Sequence, residues 1–180
     1  TPEYAAVALD SKGPTFRHEM YDKYKATRPP MPDDLVEQLP YIRSIIQMLG
    51  VKMIEMPGFE ADDIIGTLTK KGEEKGYNVV VVTGDKDFRQ IISDKTSLWD
   101  TMKDKVTDLS ALHDEYRLEP AQIIDLMGLS GDTSDNVPGV KGVGEKTALS
   151  LIQEFGSLEK VYAQIDKITK AKLKENLINS

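Results

Sequence analysis

Asn78-Val79-Val80-Val81-Val82-Thr83-Gly84-Asp85-Lys86-Asp87 is the stretch on which the fold turns. Four consecutive valines cannot alternate between a wet and a dry face. The run therefore reads as a strand buried on both sides, the pattern of a parallel sheet covered by helices. Upstream, residues 4–10 (YAAVALD) and 51–56 (VKMIEM) read as strands too, and each is followed by a helical pattern. Asp33 opens the first, with Leu35, Val36, Leu39, Ile42, Ile45, Ile46 and Leu49 spaced as one buried face, Gly50 as the stop and Pro40 as a bend. Glu60 opens the second, which runs to Lys75 with Ile64, Ile65 and Leu68 inward and Gly76 at its end. The alternation is βαβαβ. A short helix at 87–92, a strand at 97–99 and a helix at 112–116 complete an α/β domain with an open, mostly parallel sheet to about residue 118.

Beyond Pro120 no strand pattern survives, and residues 121–129, 145–155, 158–165 and 167–178 read as helices, with Ser157 as the N-cap of the third. The expected organisation is an α/β core over residues 1–118 and a helical subdomain over 119–180. Inside the core, residues 14–32 form a mobile connector or a short helix closed by Arg28-Pro29-Pro30-Met31-Pro32, which cannot continue a helix. The first strand lies near the chain start with no methionine before it, so a preceding segment is expected.

Composition excludes several classes. Charged residues make up 29% and hydrophobic residues 39%, an ordinary globular balance, and no apolar run suits a membrane span or a secretory signal. With no cysteine there is neither a disulfide framework nor a thiolate metal site, and cytoplasmic residence is the default. The net charge of −7 argues against a nucleic-acid partner when taken alone. Eight of the acids, however, fall in three short motifs and one strand end, and removing their eight charges from −7 leaves +1. The acidity is concentrated.

Open parallel sheets bind ligands beyond the C-terminal ends of their strands. Asp10 ends the first strand, Glu60, Asp62 and Asp63 follow the second, and Asp85 and Asp87 follow the valine run, so three strand ends are expected to converge on one edge. Asp132 and Asp135 stand in Gly131-Asp132-Thr133-Ser134-Asp135-Asn136. Each motif has a plainer explanation: acids complement a helix N-terminus, cap a turn, or form an Asx-rich loop. Gathered in one crevice they would repel one another and raise each other's pKa unless cations neutralised them. His18 and His113 lie outside these motifs, so the ligands are all oxygen, which favours Mg²⁺ or Mn²⁺ over Zn²⁺. Two such ions support hydrolysis of a phosphodiester.

The segments VALDSKGPTFRHEMYDKYKATRPPMP, GFEADDIIGTL, VVVVTGDKDFRQII and LMGLSGDTSDNVPGVKGVGEKTA, in this order, resemble the 5′ nuclease (5′-3′ exonuclease) domain of bacterial DNA polymerase I, of the flap endonuclease superfamily. The resemblance covers nearly the whole chain. It implies a PIN-like α/β domain with two-metal chemistry, a helical arch and a helix-three-turn-helix subdomain. By resemblance, Asp10, Glu60 and Asp62 are ligands of a first metal and Asp85, Asp87, Asp132 and Asp135 of a second, with Asp63 supporting both. Tyr24 would contact nucleic acid at the arch base, where Lys25 and Arg28 would reach the scissile phosphate and offset its developing charge; a solvated basic turn is the plainer reading. Lys141, Gly142, Gly144, Lys146 and Thr147 are similar to the duplex-binding turn, which in relatives also holds K⁺; read without the resemblance, this is a Gly-rich helix connection. The family carries another aspartate on an earlier strand, which this chain lacks.

The implied function is structure-specific, sequence-independent cleavage of DNA at 5′ flaps or nicks, in replication and repair, by a bacterial, nucleoid-associated protein in which a polymerase can follow. Two alternatives stand beside it. A DNA-binding fragment without catalysis would bind branched duplex and not turn over, and a PIN-like ribonuclease would prefer single-stranded RNA and give the 142–148 turn no role.

Overall fold

The computed structural model describes residues 2–180. The chain divides into two compact units, Thr1–Leu68 and Thr69–Ser180, with the division inside a helix.

In the first unit, β1 (Ala6–Leu9) pairs in parallel with β2 (Lys52–Glu55), Ala6 opposite Lys52 and Leu9 opposite Glu55. The crossover carries α1 (Phe16–Met20) and α2 (Asp33–Met48), and β2 leads through a turn at Gly58 into α3 (Ala61–Glu74). The Asp33 helix forms as the apolar period dictates and runs through Pro40 without ending. Its expected burial does not follow. No residue of α2 is buried, Leu39 is 36% and Ile45 52% exposed, and Leu49 just beyond is 72% exposed. Period sets the helix, whereas burial needs a packed neighbour, and among the described residues β2 is its main one. In α3, Ile64 is buried as expected, while Leu68 is 38% exposed.

In the second unit, β3 (Val79–Val82) pairs in parallel with β4 (Thr96–Asp100), which pairs antiparallel with β5 (Lys105–Thr107). Strands β1 to β5 thus form two sheets where one was expected, because apolar pattern identifies strands without fixing which of them are neighbours. The valine run is a strand buried on one face only: Val81 is 6% exposed, Val80 57% and Val82 60%. The β5 strand is too short to leave a pattern in the sequence.

The helical part carries the core. Asp108 caps α4 (Leu109–Tyr116) by accepting a hydrogen bond from the Ala111 N–H at 2.9 Å. Next come α5 (Pro120–Ser130), α6 (Glu145–Phe155), α7 (Leu158–Ala163) and α8 (Ala171–Ile178). Leu112, Leu129, Ala148, Ile152, Val161 and Leu177 are wholly buried where these helices meet. Ser157 caps α7 as read from sequence. Two differences stand out. A two-residue antiparallel ladder, β6 (Gly131–Asp132) with β7 (Val137–Pro138), interrupts the supposedly strand-free region, and α8 starts at Ala171 rather than Lys167, after a 3-10 turn at Ile165–Lys167.

Candidate metal and phosphate site

Two groups of acids are assembled, one in each unit. In the first, the open N–H groups at the start of α3 are taken by carboxylates: Asp10 Oδ1 accepts from the Ala61 N–H at 2.7 Å, and Asp63 Oδ2 from the Glu60 N–H at 3.0 Å. These are the capping roles that the plainer reading foresaw. Cations complete the group. Arg17 on α1 forks onto Asp63, with both guanidinium nitrogens at 2.8 Å, stacks over Phe16 at 4.6 Å, and lies 3.6 Å from Glu60. Lys25 Nζ donates to Glu60 Oε1 at 2.7 Å and the Tyr24 hydroxyl to Glu60 Oε2 at 2.9 Å, and Glu60 is 6% exposed. The fork from Arg17 holds the Asp63 carboxyl below the usual carboxylate range, and Asp63 in turn raises the guanidinium. Asp62, on the first turn of α3, is exposed, as is Arg28. Arg17 did not stand out in the sequence; the available signal was a second cation eight residues before Lys25, within the same polar segment.

In the second unit, β3 ends at Val82, and Asp85 starts a 3-10 turn over Lys86–Ile91 by accepting from the Asp87 N–H at 2.9 Å. Asp132 Oδ1 accepts from the N–H groups of Ser134 at 2.7 Å and Asp135 at 3.2 Å. Two glycines make this loop possible. A Cβ on Gly131 would lie 2.3 Å from the Gly139 nitrogen, and one on Gly139 equally close to Ser130 and Gly131. The two backbones therefore cross in contact and set Asp132 and Asp135 near Asp87. Electrostatics registers the result. Burial, then the charges of Asp85 and Asp132, with a further push from Asp135, raise the Asp87 carboxyl to about 6, against a smaller opposing pull from Lys86. Asp87 also lines a shallow cleft with Lys86, Arg89, Tyr116, Ser130 and Glu145.

Among the described residues, two buried side-chain polar atoms have no hydrogen-bond partner, Asp87 Oδ1 and Ser11 Oγ, the second adjacent in sequence to Asp10. An orphaned carboxylate oxygen that feels the charges of three more acids suits a divalent cation. Asp63 suits one poorly, since both its oxygens are engaged by Arg17. Among the described residues no three Asp, Glu or His side chains approach closely enough to hold an ion by themselves.

The Gly142-Val143-Gly144 turn forms between buried anchors, Val140 and Val143, with the Val143 N–H donating to the Val140 carbonyl at 2.9 Å. Gly142 adopts φ +75°, Gly144 caps α6, and Lys141 and Lys146 are exposed on either side, with Thr147 half-buried on the first turn.

Comparison with known proteins accords with this arrangement. Residues 1–117 match the family model for the 5′-3′ exonuclease N-terminal resolvase-like domain, and residues 118–180 that for the 5′-3′ exonuclease C-terminal SAM fold. The chain is 43% identical to the thermostable DNA polymerase I of Thermus thermophilus over 97% of its length, and 45% identical to DNA polymerase I of Bacillus subtilis over 98%. It spans about a fifth of those relatives, 21% and 20%. Among solved structures, T5 5′-exonuclease with bound divalent zinc superposes with a TM-score of 0.84 at 25% identity, covering 99% of this chain and 70% of that one. The T5 D15 flap endonuclease in a pseudo-enzyme-product complex with DNA and metal ions gives 0.83 at 25% identity, with the same coverage. The Rad2 catalytic core, at 0.61 and 18% identity over 96% of this chain and 56% of that one, shares the fold. Acids at the ends of parallel strands, followed along the chain by helices with a glycine turn, are here joined to matches over the full sequence, and the chain belongs to the 5′-3′ exonuclease family.

Proposed function

We propose that this chain is the 5′ nuclease segment of a longer bacterial protein, hydrolysing DNA phosphodiesters at 5′ flaps or nicks. The observation that carries the reading is Asp87, whose buried, unpartnered oxygen and raised carboxyl sit among Asp85, Asp132 and Asp135. These four would hold one divalent ion, Mg²⁺ or Mn²⁺, and Asp10, Glu60 and Asp62 a second once Glu60 exchanges its bonds to Lys25 and Tyr24 for the ion. When bound, such ions polarise the phosphate and lower the pKa of water.

The chain's own residues supply the rest. Lys25, at φ +55°, is ion-paired to Glu60 and stacked on Tyr24 at 4.9 Å, so it is held beside the acids as a short-range countercharge for an incoming phosphate, with Arg28 one turn away. Asp63 fixes the start of α3 through its bond to the Glu60 N–H. The turn at Gly142 and Gly144, flanked by Lys141, Lys146 and Thr147, would bind duplex backbone without reading bases and bind K⁺ through its carbonyls. No helix among the described residues is long and apolar enough to cross a membrane. By analogy with the T5 complex and the polymerase relatives, the partner is branched or nicked DNA, the setting replication and repair at the bacterial nucleoid, and the same polypeptide carries a polymerase.

The test is cleavage of a 5′-flap duplex in Mg²⁺ by the protein and by its Asp85→Ala variant. Cleavage abolished by EDTA and lowered at least about a hundredfold in the variant is expected. Undiminished cleavage by the variant, or preference for single-stranded RNA, contradicts the reading.

A further inference from the structure

We infer that α8 supplies a phosphate-binding pair, Lys172 and Asn176, that extends the duplex contact of the 140–144 turn; the inference rests on the reading of that turn as a duplex binder. Leu177, wholly buried, and Ile168, 8% exposed, fix the inner side of the segment and so the orientation of α8. Asn176, next to Leu177, is half-buried at the edge of that inner side. Its amide lies against the glycine turn: a Cβ built on Gly142 would come to 3.1 Å from Asn176 Nδ2. Glycine at 142 is demanded by φ +75°, and the amide beside it leaves a Cβ little room. A primary amide carries two N–H donors, so Asn176 adds donors to the backbone N–H groups at the place where phosphate would approach.

Lys172 precedes Asn176 by four residues and therefore shares its helix face, about 6 Å further along the axis. Two steps of one DNA strand occupy roughly 6.8 Å of duplex axis, a separation that matches phosphates two steps apart on one strand. Two other lysines of this region are committed elsewhere, Lys174 to Asp166 at 2.6 Å and Lys167 to Gln164 at 2.6 Å. Lys172 is 78% exposed, and its partner Glu175, at 3.1 Å, is itself 59% exposed. A pair of that kind is worth little and is readily exchanged for a phosphate. The ligand class is the phosphodiester backbone of duplex DNA, read without regard to sequence. Lys141 beside Gly142 and Lys172 on the helix face of Asn176 bring two cations to a chain of net charge −7, with Glu145 and Glu175 as their nearest opposing charges in sequence.

Fluorescence anisotropy of a labelled 5′-flap duplex in EDTA, titrated with the protein between about 50 and 300 mM KCl, tests this. Lys172→Ala is expected to weaken binding about threefold to tenfold and to lower the slope of log affinity against log salt by about 1. Asn176→Asp is expected to weaken it about tenfold or more by setting a carboxylate against phosphate, and Asn176→Ala to weaken it with the slope unchanged. Lys103→Ala, at a 72% exposed lysine of the β4–β5 turn, should bind as the parent does. If the Lys172 and Asn176 variants bind like the parent while Lys146→Ala is weakened, the α8 pair is overturned and the turn stands. If Lys146→Ala is unchanged as well, or the parent does not bind duplex, both fall.

Discussion

Asp87→Asn should make this protein more stable in the absence of metal, although it removes a residue central to the proposed site. With its carboxyl raised to about 6 in the folded state, against about 3.9 when unfolded, Asp87 is charged at pH 7.5 at a cost that the unfolded chain does not bear. The sign follows from proton counts: between those two values the native state binds the extra proton, so the penalty is full above about 6, shrinks as pH falls, and is gone below about 4. A roughly hundredfold difference in proton affinity corresponds to about 3 kcal/mol, which half-burial and solvent screening reduce to roughly 1–2 kcal/mol. For a chain of this size that is a rise in Tm of about 3–6 °C for Asp87→Asn in EDTA at pH 7.5, falling to roughly a third of that at pH 4.5. Divalent metal should reverse the order, since ligand binding stabilises the parent by linkage and the variant less. Thermal unfolding followed by circular dichroism, with parent and variant measured at both pH values and with and without Mg²⁺, reads all four differences. A variant equal to or less stable than the parent in EDTA at pH 7.5 would show that Asp87 carries no electrostatic penalty, and the argument for a cation there would lose its basis.

Three further outcomes follow from the same geometry. Arg17→Ala removes the fork on Asp63 and should lower stability by about 1–3 kcal/mol at pH 7. Because the Asp63 carboxyl is depressed, that difference should be present at neutral pH and fade as pH falls below about 4, which acid titration of both proteins will show or deny. Gly131→Ala places a methyl 2.3 Å from the Gly139 nitrogen and should cost roughly 2–4 kcal/mol; a Tm within a degree of the parent would mean that the crossing is not tight. Lys25→Met removes the ion pair to a nearly buried Glu60 and should lower stability by about 1–3 kcal/mol; a Tm within a degree of the parent would deny the pair in solution.

Much of this was legible in the sequence because the signals were local. The β-branched run at Val79 to Val82 specified a strand, Gly76 ended a helix in the left-handed conformation, and Asp85 and Ser157 act as the caps their positions suggested. Whatever depended on distant partners was not. The apolar face of α2 and the outer face of β3 have the pattern of buried surfaces and are exposed, because pattern records what a segment can bury and not what covers it. The sheet expected to be single is divided for the same reason. At the site, local chemistry placed Asp85 and Asp132 in their turns, but that Arg17 and Lys25 neutralise Asp63 and Glu60 is a matter of pairs 46 and 35 residues apart. The Gly131 to Gly139 crossing, which presents Asp132 and Asp135 to Asp87, had no periodic signature at all.

The proposed reaction depends first on Asp85, Asp87, Asp132 and Asp135 holding a divalent ion. Titration with Mn²⁺ followed by electron paramagnetic resonance counts bound ions directly, without reference to DNA or turnover. Saturable Mn²⁺ binding by the parent is expected, with one ion lost in the Asp87→Ala, Asp132→Ala double variant. An unchanged number of bound ions in that variant would contradict such a site.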